Sequence, residues 1–376
     1  MKLLVEKNTL VDALTKNVRN TSSQKETPIL EGIYMKAEDN CLRIIRSNVD
    51  ETVVITLPAE KENLKIKEAG EVVVHRSLSE ITKQLKETIT LEATEKSLKI
   101  TSGDSEFELP IYDATQYPEL AQEEGEDFID LTYDEFKDIV EKSTYCANFT
   151  SEVRPILKGV HFRKEGNQIM FVSTNSHVLV RKIVDYKPRE GQNDPGSFQL
   201  VPPAPSLMQA LRFFQKEDKL SLSLGKHYLI IQSEHVSCRI RLIEGNYPDV
   251  DRLISTKFKS LVKIERKKLI DAVEQARLLI TAKNIILTIT IKDNMLAVRT
   301  STELGKCNIP ISIQEIQGEP EVEISLNVNY LRDHIRTMDA EVIQLGFSGP
   351  SRPVVILNEE KDGEYRLLLP VRTVSS

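Results

Sequence analysis

Hydrophobic residues recur along this chain with helical spacing at three widely separated places. At each place, apolar side chains stand at positions i, i+3 and i+4, which puts them on one face of an amphipathic helix. The three sets begin 126 and then 133 residues apart. They are Leu10, Ala13 and Leu14; Phe136, Ile139 and Val140; and Leu269, Ala272 and Val273. The spacing therefore predicts one helix near the start of each of three similar segments.

Alternating apolar and polar residues follow each of these predicted helices. Alternation with a period of two, interrupted by a polar turn, is typical of a β-hairpin with one buried face. The same Pro-Ile-Leu sequence precedes the first two hairpins, at Pro28 and at Pro155. The apolar positions and turns are Ile33, Met35 and Glu38-Asp39-Asn40; Val160, Phe162 and Gly166-Asn167; and Ile289, Ile291 and Asp293-Asn294. We expect one such hairpin in each segment.

A second helix, again followed by strand-like sequence, completes each segment. Its last apolar residue is followed directly by a basic one in every copy: Leu85 by Lys86, Leu211 by Arg212, and Ile335 by Arg336. A repeat of domain size indicates tandem globular domains and not a solenoid. The sequence therefore predicts an α+β fold of three repeated domains, 1–125, 126–254 and 255–376, each with two helices and antiparallel sheets.

Composition agrees with an ordinary globular protein. Hydrophobic residues make up 40% of the 376 residues and charged residues 28%, and three domains of this size can each bury a core. No run of 18 apolar residues occurs, so no membrane span is expected. The cysteines are scattered without a CxxC pair, at Cys41, Cys146, Cys238 and Cys307. This usage suits a reducing cytoplasm and argues against a structural zinc or disulfide framework.

Sequence motifs of catalysis are missing. The chain has no GxxxxGK[ST] phosphate loop, no HExxH and no GxSxG, and its six histidines lack the spacing of metal ligands. No catalytic residue, metal or cofactor is therefore expected. A triplicated scaffold without a catalytic constellation favours a protein that binds or encircles another molecule.

The distribution of charge modifies this picture. A net charge of −7 argues against a nucleic-acid-binding protein that uses its whole surface. Basic residues, however, concentrate on the predicted helices, and acidic residues in linkers such as 121–128. Any single one of Lys86, Arg212 and Arg336 is explained as well by the helix dipole. Their recurrence in all three copies favours a basic face that contacts phosphates without reading sequence, and Lys142 of a first helix joins this candidate set.

Four short motifs carry a family resemblance. They are RPILKG at 154–159, TNSHVL at 174–179, GNYPD at 245–249 and LLLPVRT at 367–373. In this order and spacing the chain resembles, over its whole length, the bacterial DNA polymerase III beta subunit family, the beta sliding clamps. The resemblance implies a head-to-tail homodimeric ring, with helices lining the hole and antiparallel sheets outside, that encircles duplex DNA without sequence preference.

The same resemblance implies a role in DNA replication. Members of the family are non-catalytic subunits of the polymerase III holoenzyme that act as processivity factors. It implies four kinds of partner beside the second subunit: double-stranded DNA, the replicative polymerase alpha subunit, an ATP-driven clamp loader and other proteins with a clamp-binding motif. It also implies a cytoplasmic, nucleoid-associated protein with no membrane contact.

Site residues can be carried over from the family by motif. For DNA these are Arg76 and Lys25, the latter beside Gln24, where the family has an arginine. The family also has a partner-peptide pocket, an apolar cleft with a few polar groups for an extended backbone. Its residues here would be Arg154, Leu157, Thr174, Ser176, His177, Val178, Leu179, Pro248, Arg252, Leu253, Asn327, Tyr330, Ser351, Pro353, Leu367, Leu368, Leu369, Pro370, Val371 and Arg372. For Leu367 and Leu369, a place in the domain core is an equal alternative.

One departure from the family motif stands out. The family usually has Thr-Asp-x-His-Arg-Leu where this chain has Asn175 and Val178, so that a carboxylate and a guanidinium are lost together. This motivates an alternative hypothesis, in which the chain is a divergent paralogue. It would act as a partner-binding scaffold, or as a specialised clamp of a repair pathway or mobile element. Retention of basic residues in all three copies favours the DNA-encircling reading.

Overall fold

Two compact units make up the chain. The first consists mainly of Met1–Lys137 and Ser206–Leu242, and the second mainly of Asp138–Lys187 and Ile243–Ser376. The computed structural model describes residues 1–18, 28–48, 50–60, 63–86, 88–117, 125–147, 153–186, 194–255, 257–282, 284–359 and 363–371.

Six α-helices are found in this part of the chain, two for each predicted segment. They are α1 (Lys7–Val18), α2 (Leu78–Gln84), α3 (Tyr133–Thr144), α4 (Ala204–Ala210), α5 (Arg266–Arg277) and α6 (Val328–Arg336). The apolar stripes that predicted them are buried; Leu10, Leu14, Leu269 and Val273 have no exposed surface. The predicted helix pairs are therefore confirmed. None of the described helices is long and apolar enough to cross a membrane.

Two of the repeated basic residues lie beyond the helices on which they were expected. The helix α2 ends at Gln84 because Leu85 is extended, and the backbone N–H of Lys86 donates to the Ser102 hydroxyl. After α4 the chain forms a tighter turn, in which the N–H of Arg212 donates to the carbonyl of Gln209, three residues earlier. Only Arg336 is a helical residue, the last of α6.

The strands are antiparallel throughout, as predicted. The strands of the first unit are β1 (Lys2–Glu6), β2 (Ile33–Glu38), β3 (Cys41–Ser47), β4 (Glu51–Pro58), β5 (Leu64–Glu68), β6 (Gly70–Val74), β7 (Thr88–Ala93), β8 (Ser97–Ser102), β9 (Ser105–Tyr112), β10 (Glu126–Thr132), β15 (Lys219–Leu224), β16 (Tyr228–Gln232) and β17 (Val236–Arg241). They form one sheet in the order β10-β15-β16-β17-β4-β3-β2-β6-β9-β8-β7-β1-β5.

The second unit contains two sheets. Its strands are β11 (His161–Glu165), β12 (Gln168–Thr174), β13 (Val178–Asp185), β14 (Phe198–Leu200), β18 (Ser260–Glu265), β19 (Ile286–Lys292), β20 (Met295–Thr302), β21 (Gly305–Ser312), β22 (Glu315–Gly318), β23 (Val322–Asn327), β24 (Val342–Phe347), β25 (Val354–Asn358) and β26 (Glu364–Leu368). The larger sheet has the order β14-β11-β12-β13-β26-β25-β24-β18-β22, and the smaller β21-β20-β19-β23.

The three predicted hairpins are present with the predicted turns. They are formed by β2 with β3, β11 with β12 and β19 with β20. In the last of these, Asp293 and Asn294 have φ angles of 51° and 59°. A two-residue turn that follows the strand twist needs positive φ at both positions, which short polar side chains tolerate best.

Candidate functional site

Two motifs that lie almost 200 residues apart in the sequence meet in the second unit. Strand β13 pairs with β26, so that Val178 lies opposite Leu368, and Leu179 opposite Leu367. The ladder continues for one more residue, because the N–H of Leu369 donates to the carbonyl of His177 at 2.9 Å. The TNSHVL and LLLPVRT motifs therefore form one continuous ladder.

A tight turn exposes the middle of the TNSHVL motif. The Asn175 side-chain oxygen accepts from the backbone N–H groups of His177 at 2.9 Å and Val178 at 3.0 Å. The Thr174 hydroxyl donates to the carbonyl of Val178 at 2.6 Å. Ser176 has a φ of 76°, and it and His177 are exposed. Asn175 therefore builds the turn through its side-chain oxygen, which an aspartate would do equally well.

His177 packs against the start of helix α6. Its ring stacks on Tyr330, with 6.3 Å between ring centroids and an interplanar angle of 18°. Tyr330 is held by the helix cap, because the Asn327 side-chain oxygen accepts from the N–H groups of Asn329 at 2.9 Å and Tyr330 at 3.4 Å. Asn327 thus positions an aromatic ring beside the exposed turn.

The chain after β26 leaves the core and becomes accessible. Leu367 is only 3% exposed, whereas Leu369 is 37% exposed. Pro370 and Val371 are partly buried, and the N–H of Val371 donates to the carbonyl of Ser325 at 2.8 Å. Both leucines were candidates for either the domain core or the peptide pocket. Leu367 belongs to the core, whereas Leu369 is accessible to a ligand.

One buried cluster takes residues from several of the segments that contribute to the candidate cleft. It contains Val172, Leu179, Val250, Val355, Tyr365 and Leu367. The residue directly after Pro353 begins the strand that supplies Val355, and Val250 immediately precedes the short 3-10 helix Asp251–Leu253. That helix presents Leu253, which is 53% exposed. Leu253, Pro353 and Leu369 thus each lie within three residues, in sequence, of a member of this buried cluster.

The remaining candidates divide into buried and exposed residues. Leu157, Val178, Leu179 and Leu368 are buried, so their side chains do not face a ligand, and Val178 and Leu368 belong to a second, larger core cluster. Pro248 and Ser351 are exposed. Two exposed basic residues also lie in these segments: Arg154 is the N-cap residue just before the 3-10 helix Pro155–Lys158, and Arg252 pairs with Asp249 at 3.2 Å. Arg372 lies outside the described residues.

Lys142 does not fit its predicted contact with DNA. Its side chain is 6% exposed, and its ammonium group contacts Asp138 at 2.6 Å, Glu364 at 3.2 Å and the carboxylate of Asp339. An ammonium group enclosed by three carboxylates is not available to a phosphate. The prediction for Lys142 is therefore corrected to a structural ion pair.

Sequence reasoning missed the buried ionic cluster to which Lys142 belongs. Lys182 contacts Glu364 at 3.4 Å and the carboxylate of Asp138, and Glu364 accepts from Arg366 at 2.9 Å. Lys182 and Glu364 are direct neighbours in the ladder between β13 and β26. Arg366 also donates to the carbonyl of Thr337 at 3.0 Å, although its side chain has no exposed surface. This cluster fixes the strand that leads into the candidate cleft.

His334 holds the same strand from the helix side. Its Nε2 lies 3.1 Å from the carbonyl oxygen of Leu367, and its Nδ1 lies 2.7 Å from the hydroxyl of Tyr145. Burial, together with the positive charge of Arg366, lowers the pKa of His334 to about 3. The neutral ring therefore donates to Leu367 and accepts from Tyr145.

The other candidate DNA contacts are solvent-accessible where they can be described. Arg76, Lys86 and Arg212 are exposed in the first unit, and Arg336 is exposed in the second. Lys25 lies outside the described residues. These side chains are free of the enclosure found at Lys142, so they remain candidates for phosphate contact.

Repeated α+β segments that carry exposed basic residues and exposed apolar side chains such as Leu253 and Leu369 are typical of a class of protein that binds other macromolecules. The chain belongs to the DNA polymerase III beta subunit family. Models of the family's N-terminal, central and C-terminal domains match residues 1–121, 130–249 and 251–372.

Individual relatives match over nearly their full length. The beta sliding clamp of Bacillus subtilis (strain 168) is 29% identical to this chain, over 99% of this chain and 100% of the relative. The beta sliding clamp of Streptococcus pneumoniae serotype 4 is also 29% identical, over 98% of this chain and 98% of the relative. The crystal structure of the DNA polymerase sliding clamp from Bacillus subtilis matches with a TM-score of 0.94 and 28% identity, covering 100% of both chains. The beta subunit from Streptococcus pyogenes matches with a TM-score of 0.92 and 27% identity, over 99% of this chain and 100% of that one.

Proposed function

We propose that this chain is a DNA polymerase processivity factor, a sliding clamp that acts without catalysis of its own. The observation that carries the proposal is the match of all three domain models, together with a TM-score of 0.94 to a DNA polymerase sliding clamp over the whole chain. We also propose the domain boundaries near 125 and 254, which the matched ranges support. Matches of this extent do not favour the alternative of a partner-binding scaffold that does not encircle DNA.

The proposed DNA-binding surface consists of exposed basic residues from all three domains. Lys86, Arg212 and Arg336 recur at corresponding places in the repeat, and Arg76 joins them in the first domain. Cations that contact phosphates bind any sequence, which a protein that slides along DNA requires. Lys142 is left out of this set because of its enclosure.

A head-to-tail homodimer is supported by two exposed strand edges. Strand β21 is the last strand of its sheet. Among the described residues, β6 reaches β9 only at Ile111 and Tyr112, so the other edge of β9 over 105–110 has no strand beside it. Open edges readily pair with another chain. We propose that β9 of one protomer pairs with β21 of the next, where Glu106 and Glu108 would meet Lys306.

The cleft around Leu253 and Leu369 is the proposed docking site for partners. Exposed apolar side chains such as those of Leu253 and Leu369 suit a short extended peptide. We propose the replicative polymerase alpha subunit, the clamp loader and other clamp-motif proteins as its ligands, and a cytoplasmic location on the nucleoid.

The topology of DNA binding tests the proposed function directly. The protein is loaded by its clamp loader on nicked circular DNA, the circle is cut once, and bound protein is followed by gel filtration. We expect retention on the circle and rapid release after linearisation, because a ring slides off a free end. Equal retention on circular and linear DNA would show ordinary surface binding and contradict the proposal.

Replacement of Leu369 tests the cleft. We expect Leu369→Ser to weaken binding of a peptide from the polymerase alpha subunit about ten- to a hundredfold, because burying a leucine contributes about 1.5–3 kcal/mol. Fluorescence anisotropy of a labelled peptide measures the change. Met208→Ser, which alters an exposed apolar residue on α4, is the control and should bind normally. Unchanged affinity of the Leu369 variant would remove the tail from the site.

A further inference from the structure

Three arginines converge on one glutamate between helices α5 and α6. The Glu274 carboxylate accepts from Arg277 at 2.7 Å through one oxygen and from Arg332 at 2.9 Å through the other. The Nε of Arg336 lies 3.7 Å from the second oxygen. Arg277 and Glu274 stand on α5, and Arg332 and Arg336 on α6, so the cluster joins the two packed helices.

The cluster is accessible and keeps a positive charge. Glu274 and Arg277 are about one-third exposed, and Arg336 is 56% exposed. Asp333, which lies 3.5 Å from Arg332, is the other carboxylate of the cluster. Partial burial opposes ionisation of Glu274, but hydrogen bonds from Arg277 and Arg332 outweigh it and lower its pKa. Glu274 is therefore ionised at neutral pH, and three guanidinium groups face two carboxylates.

We propose that Glu274 is an internal counter-ion that competes with DNA phosphates for Arg277, Arg332 and Arg336, and so weakens the grip of the third domain on DNA. A guanidinium group presents the same planar donors to a carboxylate and to a phosphate. An arginine that already has an anionic partner gains less binding free energy from contact with a phosphate. The inference rests on the proposed function, which places duplex DNA at the basic residues of each domain.

The repeat indicates that this carboxylate is not required by the fold. The helix alignment places Glu141 of α3 and Thr15 of α1 at the position of Glu274. A first helix of the same kind therefore forms with a neutral residue there. Arg277, which α5 adds one turn further on, corresponds to Thr144 in α3. The combination of Glu274 with Arg277 is thus particular to the third domain.

Neutralising the counter-ion tests the proposal. The full-length Glu274→Gln protein is titrated with a fluorescent 30-base-pair duplex at several salt concentrations. We expect affinity at low salt to rise about three- to tenfold. The slope of log K against log salt should steepen by about 1–2, because each cation released to a phosphate adds about 0.9. Glu321→Gln is the matched control, since Glu321 lies just before strand β23 and pairs with Lys292 at 3.5 Å. This variant should bind DNA as the unaltered protein does.

The other possible results distinguish a failure of the counter-ion proposal from a failure of the proposed sliding-clamp function. Lower DNA affinity of Glu274→Gln would mean that Glu274 positions the arginines, and would overturn the competition. Unchanged affinity and an unchanged salt slope of Glu274→Gln would also overturn the proposed competition. In that case, weaker DNA binding by Arg336→Glu would still show that this surface contacts DNA. Release on linearisation of the circle is measured in parallel. If that fails for the unaltered protein, the proposed function fails, whatever Glu274 does.

Discussion

Replacing Glu364 with alanine is expected to destabilise the second unit by about 3–5 kcal/mol. Glu364 is 5% exposed and accepts from Lys142, Lys182 and Arg366. Without it, Arg366 would lose its carboxylate in a fully buried position, and the two lysines would keep only the partly exposed Asp138 and Asp339. Breaking a buried ion pair by removing one partner leaves an uncompensated charge, and this is the origin of the large cost.

The same cluster sets a dependence on pH. Burial opposes ionisation of Glu364, but Arg366 and then the two lysines outweigh it and lower its pKa below the ordinary 4.5. Because the folded state has the lower pKa, the contribution of Glu364 is complete above the unfolded value. It is lost as the pH falls through the folded value. We therefore expect the difference in stability between the unaltered protein and the alanine variant to shrink below about pH 4.5.

Urea unfolding followed by circular dichroism measures both effects. Glu359→Ala is the matched control, because Glu359 pairs with Lys263 at 2.6 Å on the surface, and an exposed pair contributes about 0–1 kcal/mol. Peptide binding provides a second measurement, since β26 leads directly into Leu369. A destabilisation by Glu364→Ala no larger than that of the control would show that the cluster does not hold this strand.

Local patterns predicted the elements of this fold because helix and hairpin formation depend on near neighbours. The stripe of Leu269, Ala272 and Val273 and the turn at Asp293-Asn294 are each contained within about ten residues, and both are confirmed. Family membership, predicted from motifs such as TNSHVL, is confirmed as well, because models of all three domains match along the chain.

Long-range pairing accounts for what the sequence did not predict. Strand β26 (EYRLL) shows a glutamate and an arginine, but only its register with β13 places Glu364 opposite Lys182. Lys142 resembled other basic residues of the helices. Its neighbour Asp138, one helical turn before it, was an available signal of an ion pair, but the two distant carboxylates were not. Burial of Leu367 beside exposed Leu369 likewise depends on where the strand ends.

Reversing Lys86, Arg212 and Arg336 together to glutamate should shorten retention on circular DNA more than tenfold. Each reversal removes one candidate phosphate contact and adds a repulsive charge. Loss of three contacts should lower the slope of log K against log salt by about 3. Dimerisation should remain nearly intact, since none of the three residues lies on β9 or β21. Retention of the loaded protein by gel filtration across a salt series, with sedimentation of the free protein, measures both properties.

A control of equal charge decides between local contact and net charge. Lys96, Lys226 and Lys292 are exposed lysines, one from each predicted domain, that lie in or next to the turns between paired strands. Reversing these three gives the protein the same net charge as the first variant. If only the first variant loses retention, the basic residues at the ends of the second helices contact the phosphates. An equal loss in the control would show that total charge governs binding, and would remove these three residues from the proposed lining of the ring.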